Sequence, residues 1–597
     1  MRTFFLITFF VVLVSSVKAQ TINQYTISFD NAVHHEAEIT ATFTNLSEGP
    51  FEVRMSRTSP GRYAIHDFAK NVYDVHAYDS KGNELDVSRP NPQQWDVTGH
   101  DGTVVFTYTL FANRGGGTYS QVDETHAHLN IPATFVYARN YQHRPVEITF
   151  NVREDLNWRV ATQLEQVGTH TFAAPDLYYF MDSPVEIADF HLREEMIDGQ
   201  LIRLALHTPA SDTEINEYFD KVIAIVEAEK AVFGELPNFD FGEYTFLSCY
   251  MPNASGDGME HRNSTVVSSS KPLDRPLGET SISTIAHEFF HAWNVERIRP
   301  GSLEPFDFED ANMSGELWFA EGFTSYYTGL ILARAGIRTE DEYIERLDGA
   351  LNYVINSPGR DFFNPIEMSY RAPFVDDATS IDPTNNNNIF ISYYSYGSVL
   401  GLGLDLSLRE HKKGLSLDGF MQLMWKKYGK TEIPYNVQDI EAALGEYAGN
   451  DFAATFFGSF IYKSEMPDYS SLLSEMGVTL KVKDDNKVDP GARIREKDGR
   501  WMITANTTMG GSFYNAGLDN GDEILSIGGI KLAEVDDVEE ILSRYRPGQT
   551  AEVRFIRYDE ECTVEVTFKA SMVLESTINE RAGRQKRAKR EAWIKGK

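Results

Sequence analysis

At 597 residues with a formal net charge of -33, the chain is too long for a single domain, and at roughly 100–200 residues per domain about three to five units are expected. Hydrophobic residues make up 42% and charged residues 24%, which excludes disorder or a fibrous architecture for most of the length. The acidic balance argues against a nucleic-acid groove, because phosphate contact needs clustered Lys and Arg on one face.

In chain order, Arg2 supplies a positive start, residues 4–14 an apolar run, and Val17-Lys18-Ala19 a small-residue exit before Gln20. Residues 1–19 therefore read as a secretory signal, against a buried N-terminal helix or a membrane anchor. The run is short for a bilayer, and no other apolar stretch reaches about 20 residues. The expectation is an exported protein, periplasmic or secreted, whose mature chain has no transmembrane segment.

Residues 20–198 show short alternating segments, such as 37–43 and 103–110, punctuated by Ser59-Pro60-Gly61 and Asn91-Pro92. This predicts an antiparallel β-sandwich-like domain. His126 and His128 share one strand face beside Asp123 and Glu124. No further ligand is visible near them, so a metal is not expected there. Over 199–467 the texture changes: Ile215, Tyr218, Phe219, Val222, Ile223 and Val226 recur at helical spacing up to Gly234, which predicts an α+β, mostly helical domain.

Residues 468–571 return to short strands, and the stretch from Asn515 to Gly529 resembles the centre of a PDZ domain. Residues 535–545 would be its groove helix. Gly477, Val478 and Thr479 would form the loop and strand that capture a peptide C-terminus by β-augmentation. The tail, 572–597, ends in eighteen residues with eight basic and two acidic side chains. Such a tail can fold back, dock on an anionic surface or stay solvated, and the solvated state is expected. Cys249 and Cys562 lie far apart and match no paired ligand spacing, which excludes both a disulfide scaffold and a thiolate zinc site.

The sharpest feature is His287-Glu288-Phe289-Phe290-His291. On a helix, residues four apart stack on one face, so His287 and His291 can present two imidazole nitrogens to one Zn²⁺ while Glu288 flanks a water as general base. A catalytic zinc needs a third protein ligand. Glu321 is the candidate, at the start of a second apolar helix.

These residues, with Arg297-Ile298-Arg299-Pro300 and Leu317-Trp318-Phe319-Ala320-Glu321-Gly322, resemble the glycyl aminopeptidase family of zinc metallopeptidases. The resemblance covers nearly the whole mature chain and implies an N-terminal β domain, a thermolysin-like catalytic domain and a PDZ domain, in that order. It implies one catalytic zinc ion. It also implies a substrate-binding segment at Gly258, Met259 and Glu260, in which the glycine lets a backbone approach and Glu260 meets the substrate α-ammonium. Among Tyr393, Tyr394 and Tyr396, the spacing to Gly397 in related aminopeptidases points to Tyr394 as the oxyanion donor.

The function implied is an exported aminopeptidase that removes small N-terminal residues, Gly or Ala, from peptides with a free N-terminus. Two alternatives stay open: an endopeptidase that uses the PDZ domain to capture peptide C-termini, and a non-catalytic peptide-binding protein. Oligomeric state is not legible in the sequence.

Overall fold

The computed structural model describes residues 21–273, 279–376 and 382–596. The expected signal, residues 1–19, lies outside the described residues. The protein is multidomain, with an N-terminal β-rich region, a helical middle and a C-terminal PDZ domain.

The N-terminal region is built on a seven-stranded sheet in which Asn23–Ser28 lies between Val146–Asn151 and Glu36–Phe43. The first of these pairs is parallel and the second antiparallel. In Glu36–Phe43 every second residue, Ala37, Ile39, Ala41 and Phe43, is buried, as a strand with one face on a core requires. Tyr25, Ile27, Phe106, Tyr108, Ile148 and Phe150 complete that core. A smaller sheet orders Arg159–Thr162, Val185–Ala188, His126–Leu129 and Gln121–Val122. Ala161, Ala188 and Phe190 pack with Ala205 and Leu247 of the next region. This contact seats the β domain on the catalytic sheet.

That catalytic sheet has five strands in the order His191–Ile197, Gln200–His207, Glu243–Tyr250, Ser264–Ser269, Asp257–His261. The two inner pairings are parallel and the outer ones antiparallel, so Asp257–His261 is an edge. Helix Asp212–Phe233 packs its apolar stripe on the sheet. It starts with a capping box between Ser211 and Glu214 and stops at Gly234, whose φ of 89° suits glycine.

Helix Leu317–Arg334 crosses helix Tyr393–His411 with backbones in contact, because Gly322 meets Gly397. A Cβ on Gly397 would stand 1.8 Å from the Trp318 carbonyl oxygen. Only glycine permits this approach, and it brings Glu321 and Tyr394 to adjoining helices. No helix among the described residues is long and apolar enough to cross a membrane.

The PDZ core gathers Val488, Ile494, Phe513, Ile527, Val553 and Phe555 around a sheet of Ile494–Lys497, Arg500–Ile503, Glu523–Ile527, Thr550–Arg557 and Glu560–Thr567, with Ile530–Lys531 beside it. Two expectations are corrected here. Gly477, Val478 and Thr479 do not open a peptide groove. Strand Val478–Val482 is already paired with the chain's own Leu574–Ile578, and the Gly477 carbonyl accepts from Asn579 N–H and Arg590 Nη1. The expected groove helix shortens to Glu539–Leu542.

The second correction is the tail, which folds back instead of staying solvated. Its helix Arg584–Ile594 buries Trp593 and Ile594 in the catalytic core, and Lys586, Lys589 and Arg590 pair with Glu475, Glu410 and Glu340. Complementary charge on the acidic body, together with the buried indole, outweighs the hydration of the basic residues. Both cysteines are free, Cys249 in the catalytic sheet and Cys562 in the PDZ domain.

Candidate active site and metal centre

His287 lies in the last turn of helix Glu279–Glu288, and His291 in the 3-10 turn Phe290–Ala292 that continues it. Their Nε2 atoms are 3.2 Å apart. Glu321 Oε2 is 3.5 Å from His287 Nε2 and 3.3 Å from His291 Nε2. Two donors bound at about 2.0–2.1 Å to one tetrahedral ion stand about 3.3 Å apart. The three separations therefore match three edges of a zinc tetrahedron, and the residues fit that ion.

The surrounding hydrogen bonds fix the ligand atoms. The Thr328 hydroxyl gives its proton to the Thr324 carbonyl (2.9 Å), so at 3.2 Å from His287 Nδ1 it can only accept. His291 Nδ1 faces the Asn294 carbonyl at 2.6 Å, which also only accepts. Both rings therefore carry Nδ1–H and turn their Nε2 atoms toward Glu321. Asn294 Nδ2 in turn donates to the Ala320 carbonyl (2.9 Å) and Thr324 Oγ1 (3.1 Å), tying the exit of the histidine helix to the glutamate helix. Tyr63, from the β domain, donates to Glu321 Oε1 at 2.5 Å and leaves Oε2 for the histidines.

The cluster attracts positive charge. Burial alone would lower the His291 pKa, but the carboxylates of Glu321, Glu260 and Glu288 outweigh it and push it up to about 10. Burial also raises Glu288 well above the usual carboxylate range, with Glu260 and Glu321 adding to the effect. Glu260, on edge strand Asp257–His261, is raised chiefly by burial. Carboxylate oxygens of Glu260 and Glu288 and a ring nitrogen of His291 all lie within 4.8 Å of one another.

Gly258 makes room for Glu288. A Cβ there would stand 2.2 Å from Glu288 Oε1, so only glycine leaves that carboxylate its place. Met259 is fully buried, with its side chain against Gly61 and Gly117 of the β domain, so only its backbone can meet a peptide. Arg62 holds the same strand through Asp257 and the Gly258 carbonyl.

Of the three tyrosines, Tyr394 has its ring 5.9 Å from that of His287. Tyr393 packs beside Tyr63 and Val295, and Tyr396 is buried in the helical core. Burial, with Glu321 next, keeps the Tyr394 phenol protonated by raising its pKa well above 10. Sequence reasoning missed Tyr63, Arg62, Asn294 and Thr328. No motif marks Tyr63, Arg62 and Thr328, which act through contacts between residues distant in the chain, whereas Asn294 lies three residues from His291 and acts through its backbone carbonyl, which carries no residue-type signal.

Behind the site, Glu229 of helix Asp212–Phe233 is buried with no hydrogen bond to either carboxylate oxygen. Burial raises its pKa well above the usual carboxylate range. A carboxyl raised in the fold stabilises the fold below its unfolded pKa, and that contribution is lost as pH rises. Wild-type stability should therefore fall by about 1.4 kcal/mol per pH unit from this group alone above about pH 4.5, until its folded pKa is passed. Glu229→Gln should flatten that fall, read as urea midpoints at several pH values with zinc held constant. An unchanged slope would mean that Glu229 is already solvated.

Residues 24–189 match the Peptidase M61 N-terminal domain, 280–400 the M61 glycyl aminopeptidase domain and 474–568 a PDZ domain. The crystal structure of an aminopeptidase N family protein from Idiomarina loihiensis is 26% identical, with a TM-score of 0.84, over 96% of this chain and 100% of that one. A mutant M1 zinc metallopeptidase from Deinococcus radiodurans is 12% identical, with a TM-score of 0.42, over 73% of this chain and 93% of that one. No curated protein matches the chain.

Proposed function

The chain belongs to the M61 glycyl aminopeptidase family of zinc metallopeptidases, and from that premise we propose that it releases single small N-terminal residues from peptides, with His287, His291 and Glu321 as zinc ligands. The observation that carries the exopeptidase reading is the distance between Glu260 and Glu288, whose carboxylate oxygens lie within 4.8 Å. One residue advances an extended chain by about 3.3–3.6 Å. A substrate ammonium anchored on Glu260 therefore presents its first carbonyl, not its second, to the base.

Zinc bound by these three residues supplies Lewis acidity, polarising the carbonyl and acidifying a water. Glu288 takes a proton from the attacking water and returns it to the leaving amine. Tyr394, held protonated, donates a hydrogen bond to the carbonyl oxygen as negative charge develops on it. Glu260 ionises against the incoming ammonium, which offsets the cost of its burial. Edge strand Asp257–His261 offers backbone groups to an extended peptide. The preference for Gly is supported by the description of the matched family, a glycyl aminopeptidase, and its extension to Ala by the sequence resemblance alone. Export rests on residues 1–19 of the sequence.

The test uses a peptide beginning with Gly or Ala and its N-acetylated twin, followed by mass spectrometry. Only the free-amine peptide should shorten, one residue at a time. Glu260→Gln should raise KM for it by about 10–100-fold, the worth of a charge-assisted hydrogen bond. Internal cleavage of both peptides would make the enzyme an endopeptidase and remove this role from Glu260.

A further inference from the structure

Where the β domain meets the catalytic sheet, four buried side chains from four strands converge: His126, Glu186, His207 and Cys249. One donor atom of each lies within 4.8 Å of all the others. Cys249 Sγ is 3.9 Å from His126 Nε2 and 3.6 Å from His207 Nδ1, and His207 Nδ1 is 3.9 Å from Glu186 Oε1. Around a tetrahedral zinc, nitrogen and oxygen donors stand about 3.3 Å apart and nitrogen and sulfur about 3.6 Å. On these three edges the cluster is open relative to that by at most about 0.6 Å, and its remaining edges are no longer than 4.8 Å.

Its surroundings are arranged as those of metal ligands are. His126 Nδ1 faces Asp123 Oδ1 at 3.4 Å and Thr125 Oγ1 at 3.0 Å, which turns Nε2 toward Cys249. Asp123 is itself held by Asn253 and Gln121. Glu186 Oε2 accepts from His128 Nδ1 at 3.0 Å. Its other oxygen, Oε1, is buried without a hydrogen-bond partner and is the atom aimed at His207. An orphaned buried carboxylate oxygen costs free energy unless a donor or a cation meets it.

We propose that His126, Glu186, His207 and Cys249 form a second zinc site, structural rather than catalytic, that fastens the β domain to the catalytic sheet. Two imidazoles, a thiolate and a carboxylate suit a closed tetrahedral zinc. One thiolate and one carboxylate also cancel its charge, so the occupied site is neutral in a buried setting. The lack of a paired cysteine spacing, which excludes a thiolate zinc site on the sequence alone, has no force once the ligands come from four strands. His126 and Glu186 belong to one sheet and His207 and Cys249 to the other.

The test uses the full chain carrying Cys562→Ser, so that Cys249 is the sole thiol. Elemental analysis of the protein purified without chelator should give two zinc ions per chain, and Cys249→Ala on that background one. Loaded with cobalt(II), the Cys562→Ser chain should show a sulfur-to-cobalt charge-transfer band in the near ultraviolet. That band should vanish with Cys249→Ala and persist with His287→Ala, which disables the other cluster. Should Cys249→Ala fail to fold, the count and band of the Cys562→Ser chain decide the matter. A single zinc with no such band would overturn the proposal, as would a second equivalent retained after Cys249→Ala.

Discussion

Glu288→Gln should lower kcat by about 10²–10⁴-fold, the contribution of a positioned general base, while zinc content, thermal midpoint and KM stay near wild type. The substitution keeps the shape of the side chain and so leaves the slot beside Gly258 filled as before. What it removes is the ability to take a proton. Burial raises the wild-type carboxyl well above the usual range. Below that pKa the group is protonated and cannot act as a base, so the wild-type rate should rise with pH through it. The residual activity of the variant should lack this acid limb. A kcat within a few-fold of wild type at full zinc occupancy would assign the base elsewhere, with Glu260 the nearest other carboxylate.

The parts of the molecule legible in the sequence are those with a local period or a short spacing. Helix Asp212–Phe233 announces itself by its apolar stripe and its terminal Gly234. The four-residue interval between His287 and His291 places both imidazoles on one helical face, where their Nε2 atoms meet at 3.2 Å. Glu321 is legible because a second apolar helix begins there. The contacts that orient these ligands are different in kind. Tyr63 reaches Glu321 across 258 positions of sequence, and the Asn294 carbonyl acts through backbone geometry that any residue type could supply.

The PDZ groove and the tail are not legible in the sequence for a related reason. Strand Val478–Val482 has the pattern of a peptide-accepting edge, yet Leu574–Ile578 of the same chain occupies it. The basic residues of helix Arg584–Ile594 look solvated until Trp593 is seen inside the core and Lys586 and Lys589 beside Glu475. Charge counts carry no information about which acidic surface lies within reach. The cluster at Cys249 is hidden in the same way, since its four ligands are separated in sequence and come together only when two sheets stack.

Tyr394→Phe should lower kcat by about 10²–10³-fold with little change in KM, the usual cost of removing one oxyanion donor. The phenol keeps a proton to donate, because burial and the nearby Glu321 keep its pKa well above 10. In the ground state its partner is a neutral carbonyl, and the bond strengthens as charge moves onto that oxygen, so the loss falls on kcat. Its neighbours provide the control. Tyr393→Phe alters a ring packed against Tyr63 in an apolar cluster, and Tyr396→Phe one buried in the helical core, so both should keep kcat within a few-fold. If Tyr393→Phe and Tyr394→Phe exchanged these outcomes, the helix would have to turn on substrate binding to aim the other hydroxyl. That rotation is opposed by the Gly322–Gly397 contact, which leaves the two helices no room to roll.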